Sequence, residues 1–239
     1  MLIYAKVRRM CGRFTRFHIW ADIHRMYRLL PASEAGRNTE ARYNIAPTED
    51  VYFVTAGKDG SQQVRTGRWW LVPWWAKEMP KAAMFNARME TAETSGAFKD
   101  AWKSKRCLIP ADGFYEWTKN PEDGGRDPWF IHMPEAQPFS FAGLWAHNDN
   151  LGVTSCTIIT MPAGEPMAQL HDRQPAILAP DAYDAWLDPA TPVADVKPLL
   201  SNNLDGDLQF HRVDRRVNAS SRTEKPNDDA SMIGPVNPL

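Results

Sequence analysis

The chain has 239 residues, of which 43% are hydrophobic and 24% charged, and its formal net charge is −1. This length supports one sizeable core, so we expect a single α+β domain. A near-zero charge gives the chain as a whole no electrostatic preference for nucleic acid or anionic membrane, and any basic surface has to be local. No apolar run reaches the roughly 20 residues of a membrane span, and residues 1–9 are too short and too charged for a signal peptide. The composition therefore predicts a soluble, cytoplasmic protein.

The three cysteines, Cys11, Cys107 and Cys156, are far apart and form no C-x-x-C pair. This spacing disfavours both a disulfide framework and a zinc site, and it is typical of a protein from a reducing compartment. We expect no metal and no cofactor.

The first chemically distinctive residue is Cys11, which directly follows Met10. If translation begins at Met10 and that methionine is removed, Cys11 carries an α-amine (ordinary pKa ~7.7–8.0) and a thiol (~8.5) on adjacent carbons. Such a pair can attack an aldehyde through the amine and then close a ring through the sulfur. The alternative is that Cys11 is a small buried hydrophobe near the first strand.

In chain order, apolar residues recur at three- and four-residue spacings over residues 18–30, which predicts an amphipathic helix. An extended turn is expected over residues 42–48, followed by strands over 51–55 and 64–72. Four tryptophans then occur within residues 69–75.

Two of these four tryptophans differ from the others in their surroundings. We expect Trp69 to lie in the core, whereas Trp74 and Trp75 follow a proline and precede polar residues, which indicates an exposed loop. An exposed aromatic pair beside arginines can stack bases, at ~1–3 kcal/mol per base.

In the middle of the chain several strand-like segments follow one another, which predicts an antiparallel meander that curls on itself. A polar insert at residues 85–91 contains Asn86 and Arg88, a helix is expected through 97–102, and residues 106–117 read as strand, turn and strand. Alternation along the second of these strands points Glu116 to the same face as Phe114. Burial there would raise the pKa of the carboxyl toward the range useful for proton transfer.

Further strands are expected over residues 129–133, 139–145 and 153–161, and a short helix within 162–170. His171 follows, flanked by Asp172 and Arg173 ahead of a strand at 176–178. A lone histidine is more often structural than catalytic, but this setting suits a proton carrier. Helices over 181–188 and 193–200, a strand over 208–213 and a surface tail over 221–239 complete the prediction.

Seven motifs in this order resemble the SOS response-associated peptidase family, and the resemblance covers nearly the whole chain from Met10. They are Met10-Cys11-Gly12-Arg13-Phe14, Arg42 to Pro47, Trp70 to Pro73, Asn86 to Thr91, Cys107 to Trp117, Phe141 to Trp145 and His171 to Pro175. The resemblance implies a single α+β domain with a curled, barrel-like, mostly antiparallel sheet flanked by helices. Its catalytic domain would span residues 11–220.

The resemblance also implies an activity. The family binds single-stranded DNA and forms a covalent link to abasic sites through its N-terminal cysteine, in the DNA damage response and at replication forks. Carried over to this chain, the active-site residues are Cys11, Asn86, Glu116 and His171. A monomer that associates with the nucleoid when bound to DNA is expected.

The expected DNA contacts follow the same motifs. Three arginines are expected to contact phosphates: Arg13, Arg88 and Arg173. The exposed pair Trp74 and Trp75 is expected to stack on bases. Asn44, Pro47 and Thr160 occupy family motif positions near the cleft that binds the DNA strand.

Two features depart from the family pattern. Nine residues precede Met10, so residues 1–10 are expected to be a leader that is removed, by the chain itself or otherwise, or a mis-assigned start. Extra residues at 76–85 border the expected DNA cleft. Two other functions stay open at this point: a cysteine peptidase acting on peptides, and a non-covalent single-strand binding module.

Overall fold

The computed structural model describes residues 12–18, 25–27, 40–57, 60–219 and 227–236. Within them the chain is rich in strands and short of helices, as expected for a single α+β domain. The strands are β1 Phe14–Arg16, β2 Arg42–Ile45, β3 Asp50–Ala56, β4 Gln62–Trp69, β5 Asn86–Arg88, β6 Arg106–Ala111, β7 Gly113–Lys119, β8 Arg126–His132, β9 Phe139–Asn148, β10 Val153–Pro162, β11 Arg173–Pro175, β12 Ile177–Leu178 and β13 Gln209–Arg212. The α-helices are α1 Lys99–Ser104, α2 Tyr183–Leu187 and α3 Val193–Leu199.

The strands form two sheets. The smaller has the order β13-β8-β7-β1-β2, and the larger has the order β11-β10-β4-β3-β6-β9-β12. In the larger sheet β9 also pairs with β10, so that sheet curls back on itself. The prediction of a curled, mostly antiparallel sheet is confirmed; the exceptions are β4 and β5, which both pair with β10 in parallel.

The predicted strand, turn and strand over residues 106–117 are confirmed, but the two strands do not pair with each other. β6 pairs with β3 and β9 in the larger sheet, whereas β7 pairs with β1 and β8 in the smaller one. The corner at Asp112 therefore carries the chain from one sheet to the other. Its 1% exposed carboxylate accepts hydrogen bonds from the backbone N–H groups of Phe17 and His18, which a hairpin turn would not require.

Three hydrophobic clusters define the layers. The first lies between the two sheets and includes Phe14, Trp69 and Phe141. The second covers the other face of the larger sheet with the helices, around Trp102 and Trp186. The third covers the outer face of the smaller sheet. The sequence alternation in β7 follows from this layering, because successive side chains reach different clusters.

The C-terminal part of the described chain belongs to the third layer. Met232 is fully buried, and Asp228 accepts hydrogen bonds from the backbone N–H groups of Tyr43 and Asn44. Residues 227–236 thus pack on β2 and bury Met232, whereas the sequence predicts a surface tail over 221–239. Of the helix expected over 18–30, residues 25–27 are helical and most of the remainder lies outside the described residues. Among described residues no helix is long and apolar enough to cross a membrane.

Candidate active site

Strand β1 is held in place at both of its ends. Arg13 O accepts a hydrogen bond from Tyr115 N at 3.0 Å, and Phe14 pairs with Phe114. At the other end of β1, Asp112 receives the two backbone N–H groups described above. The strand is therefore fixed in register against β7. In this antiparallel register Gly12 falls beside Glu116.

Two of the expected catalytic residues lie close together. Glu116, on β7 of the smaller sheet, and His171, just ahead of β11 of the larger sheet, are 1% and 5% exposed. Glu116 Oε1 and His171 Nε2 are 4.0 Å apart. Buried carboxylates and imidazoles are uncommon without a functional or structural partner. The fold therefore brings together two proton-transfer groups that are 55 residues apart in sequence.

The surroundings of His171 suit a proton carrier. Its Nδ1 accepts a hydrogen bond from Arg173 N at 3.1 Å and also lies 2.9 Å from Asp172 Oδ1. Nδ1 can accept from the backbone N–H of Arg173 only when it is unprotonated. It can donate to the carboxylate of Asp172 only when it is protonated. The site thus provides a partner for each protonation state of that nitrogen. In the state that accepts from Arg173, the ring proton is on Nε2 and faces Glu116.

Asn86 begins the short strand β5. The strand pairs in parallel with β10, with Asn86 beside Ile158 and Arg88 beside Thr160. Asn86 is half-buried and Arg88 is exposed. β4 and β5 pair in parallel with successive residues of β10, so the start of the polar motif is held in the sheet by strand pairing.

A cleft of about 600 Å³ opens next to these residues, and nine side chains and backbone segments line it: Gly12, Arg13, Pro47, Thr48, Trp70, Phe85, Trp117, Arg126 and Asn218. Three of the four expected catalytic residues are chain neighbours of a lining residue. Cys11 precedes Gly12, Asn86 follows Phe85, and Glu116 precedes Trp117. Cys11 itself lies outside the described residues.

The expected DNA contacts are distributed unevenly. Arg13 and Pro47 line the cleft, whereas Trp74 and Trp75 are 56% and 51% exposed on the loop after β4, as predicted. The indole N–H of Trp74 donates to Asp100 Oδ2 at 2.9 Å. The pair borders a separate depression of about 210 Å³ beside α1.

Two of the residues expected near the DNA cleft, Asn44 and Thr160, form hydrogen bonds within the protein. Asn44 is 6% exposed, and its side-chain N–H donates to Asn227 O at 2.9 Å. Thr160 is 1% exposed, and its hydroxyl donates to Ala87 O. Asn44 thus links β2 to the C-terminal part of the chain, and Thr160 links β10 to β5. A direct contact of either residue with DNA stays a prediction.

Arg173 was expected to bind phosphate and is held by a carboxylate of the same chain. Its guanidinium makes a two-pronged ion pair with Glu90 and donates to Thr160 O at 2.8 Å. Hydrogen bonding to Arg173 lowers the pKa of the Glu90 carboxyl. Sequence reasoning missed Glu90, although it lies four residues after Asn86 in the same motif. The ion pair ties β5 to β11, and therefore Asn86 to the segment that carries His171.

Two findings bear on metal and thiol chemistry. No group of three metal-ligating side chains occurs within the described ranges. Burial raises the pKa of the Cys107 thiol well above its ordinary value, with Cys156 nearby. Neither of these cysteines is a reactive thiol at neutral pH.

Fold and site together define a single-domain α+β protein with a buried Glu–His pair and a cleft lined by arginine and tryptophan side chains, among them Trp117, the residue after that glutamate. The family model of the SOS response associated peptidase (SRAP) matches residues 10–220. The chain belongs to this family.

Individual relatives agree with that assignment. The chain is 37% identical to the abasic site processing protein YoaM of Bacillus subtilis, covering 88% of this chain and 93% of the relative. It is 29% identical to YedK of Escherichia coli, an abasic site processing protein, over 95% of this chain and all of the relative. A solved structure from Bacteroides thetaiotaomicron shares the fold, with a TM-score of 0.79 over 95% of this chain and all of that one, at 20% identity.

Proposed function

We propose that this protein processes abasic sites in single-stranded DNA by linking itself covalently to them through Cys11. The observation that carries the proposal is the buried pair of Glu116 and His171, 4.0 Å apart, next to a cleft that Gly12 lines. Cys11 is bonded to Gly12, which lines the cleft. Consecutive α-carbons are about 3.8 Å apart, so the α-carbon of Cys11 is about that far from the α-carbon of a lining residue. The names of the relatives supply the substrate class.

The proposed chemistry uses both nucleophiles of an N-terminal cysteine. In its open form an abasic site presents an aldehyde at C1′. The α-amine of Cys11 attacks this carbon and one water leaves, which gives an imine. The thiol then adds to the imine carbon, its proton passes to nitrogen, and a five-membered thiazolidine closes. Holding both groups beside the aldehyde makes ring closure effectively unimolecular.

The two buried groups divide the proton transfers. Glu116 lies beside Gly12 in the β1–β7 register, so we assign it the protons of the adjacent amine and of the departing water. His171 has a partner for either protonation state of Nδ1, which suits it to protonate the sugar ring oxygen as the ring opens. Asn86, at the start of β5, would hold the amine or the aldehyde oxygen by hydrogen bonds without ionising.

We assign the DNA strand to the cleft and to the separate depression beside α1. Arg13 in the cleft wall and the exposed Arg88 would contact phosphates, and Trp74 and Trp75 would stack bases. Arg173 could contribute to phosphate binding only by exchanging its ion pair with Glu90 for one with DNA.

The mechanism requires a free amine at Cys11. With a residue still attached, that nitrogen is an amide whose lone pair is delocalised into the carbonyl, and it cannot form an imine. We therefore propose that the active form begins at Cys11. If translation begins at Met1, the Cys11 thiol could attack the carbonyl carbon of Met10: the Met10–Cys11 amide bond breaks as a thioester forms, and water then hydrolyses the thioester, which frees both the amine and the thiol of Cys11.

Intact-mass spectrometry tests the proposal. The protein is mixed with a single-stranded oligonucleotide that contains one abasic site, and with the same oligonucleotide carrying a normal base. We expect one adduct with the first strand, lighter by one water than the sum of its parts, and none with the second. Cleavage of unrelated peptides without adduct formation would favour a cysteine peptidase. Equal, reversible binding of both strands would favour a non-covalent binding module.

A further inference from the structure

Two histidines meet on the outer face of the smaller sheet. In the β8–β13 ladder His132 pairs with Gln209, and His211 pairs with Phe130. Directly opposite residues of an antiparallel pair share a face, and so do residues two apart on one strand, so these four side chains lie on the same side. The centroids of the two imidazole rings are 5.3 Å apart. Strand pairing therefore brings together two histidines that belong to none of the sequence motifs.

Each imidazole has one nitrogen that binds a backbone carbonyl. His132 Nδ1 lies 2.8 Å from Met133 O, and His211 Nε2 lies 2.8 Å from Ile233 O. A carbonyl oxygen only accepts, so each of these nitrogens carries the ring proton. In the neutral rings His132 Nε2 and His211 Nδ1 are then lone pairs, and among the described residues neither has a hydrogen-bond partner. Metal-binding histidines show this arrangement, in which the second nitrogen donates to a carbonyl or carboxylate and fixes the tautomer.

The separation of the two rings fits a shared metal ion. Zinc binds an imidazole nitrogen at about 2.0–2.1 Å, which places the ion roughly 3.2 Å from the centroid of each ring. Two such ligands at a tetrahedral angle have centroids about 5.2 Å apart, close to the observed 5.3 Å. Both histidines are half-buried, so an ion with its waters can reach them from solution.

The rings are held in place by a phenylalanine. Phe130 stacks on His132 with the ring centroids 5.4 Å apart, and it contacts His211 edge-on at 5.8 Å. Phe130 is itself 3% exposed and packs against Tyr115. The two imidazoles are therefore ordered before any ligand arrives, and binding an ion costs little side-chain entropy.

We propose that His132 Nε2 and His211 Nδ1 bind a divalent transition-metal ion such as zinc, with water in its remaining positions. Imidazole suits zinc, copper and nickel, whereas magnesium and calcium prefer oxygen ligands. Both nitrogens are unprotonated in the neutral rings, so the ion displaces only water. With two protein ligands in place of the four of a structural zinc site, the ion exchanges with solution. The cysteine spacing that disfavours a zinc site does not bear on this pair.

The bound ion has a structural effect away from the cleft. It ties β8 to β13 and, through His211, to the segment around Ile233, so it stabilises the folded state by mass action. Arg126, which lines the cleft, and His132 are at opposite ends of the seven-residue strand β8, about 20 Å apart. The inference therefore does not depend on the proposed function.

Isothermal titration calorimetry with zinc chloride tests the site. The protein carries no affinity tag, and all titrations use a Cys11→Ala background, because a cysteine thiolate is itself a metal ligand. We expect His132→Phe to weaken zinc binding by at least about 10-fold, since phenylalanine keeps the ring that stacks on Phe130 but offers no lone pair. His211→Gln keeps a side-chain N–H for Ile233 O and should show the same loss.

Stability gives a second readout. Excess zinc should raise the urea midpoint of the Cys11→Ala protein, whereas magnesium should not, and zinc should leave the midpoint of the His132→Phe variant unchanged. His147→Ala is the matched control, because it removes an exposed histidine on β9 and should keep both the zinc affinity and the zinc-dependent midpoint. Circular dichroism shows whether each variant folds, and either of the two site variants is sufficient for the test.

Three results would overturn the metal site. The first is a lack of saturable zinc binding by the Cys11→Ala protein. The second is a smaller loss of affinity than expected in a folded His132→Phe or His211→Gln variant. The third is an equal loss for His147→Ala, which would mean that zinc binds adventitiously at exposed histidines.

Discussion

Asp205 makes the stability of this fold depend on pH in a way that one substitution should remove. The residue begins a 3-10 turn before β13 and is 9% exposed. Within the described part of the chain its Oδ1 is buried without a hydrogen-bond partner. Burial raises the pKa of this carboxyl from 3.8 to about 6, and the nearby Gln174 side chain opposes the shift only in part.

The sign and size of the effect follow from that shift. A raised pKa means that the folded state prefers the protonated carboxyl, so the stability present at low pH is lost as pH rises through about 6. One pKa unit corresponds to about 1.4 kcal/mol, so the shift amounts to roughly 3 kcal/mol of lost stability at pH 8. At pH 4.5 the same group costs about 1 kcal/mol, because that pH is less than one unit above the pKa of the carboxyl in the unfolded chain.

Asp205→Asn is neutral at every pH and should therefore stabilise the protein more at pH 8 than at pH 4.5, by about 2 kcal/mol. Urea unfolding at the two pH values measures the difference. Asp207→Asn, exposed on the same turn, is the matched control and should show no such pH dependence. A gain for Asp205→Asn that is equal at both pH values, or largest at pH 4.5, would refute the reasoning.

Three further outcomes are expected. Cys11→Ala keeps an amine but loses the sulfur, so it should form only a labile imine that borohydride traps, and a heat-stable adduct equal to that of the parent would rule out ring closure. Glu116→Gln and His171→Ala should slow adduct formation by about 10²–10⁴ while strand affinity, read by anisotropy, stays within a few-fold; loss of rate and affinity together would make these residues structural. Gly113→Ala should lower the free energy of unfolding in urea by about 1–3 kcal/mol, because its Cβ would lie 2.3 Å from a phenylalanine ring of β8. Gly206→Ala, with no atom within 4 Å of its added carbon, is the control, and equal losses for the two would contradict the packing argument.

Local periodicity was enough to predict many of the elements. Strands such as β8, β9 and β10 alternate or run apolar over five or more residues, and their bounds lie close to the predicted ones. The exposed loop at Trp74 followed from the preceding proline and the polar residues after it. The predicted second strand of the first hairpin ran three residues too far, to Val72, since apolar residues after Trp69 are buried in a loop and not in the ladder.

Long-range partners could not be predicted in the same way. Nothing near Asp112 in sequence indicates that its carboxylate binds Phe17 and His18, which are more than 90 residues away. The same holds for Glu90 and Arg173, whose ion pair depends on β5 and β11 both lying beside β10. Such contacts follow from which strands are neighbours, and strand order is not encoded in local periodicity.

The central claim is that the bond to DNA is made by the amine and the thiol of one residue, Cys11. The most direct measurement is peptide mapping of the adduct by tandem mass spectrometry after digestion of both protein and DNA. We predict that the sugar remnant lies on a peptide that begins at Cys11, that its mass reflects loss of one water, and that the peptide no longer carries a free thiol that iodoacetamide can alkylate. A remnant on a lysine, or on a peptide that still carries Met10, would contradict the mechanism.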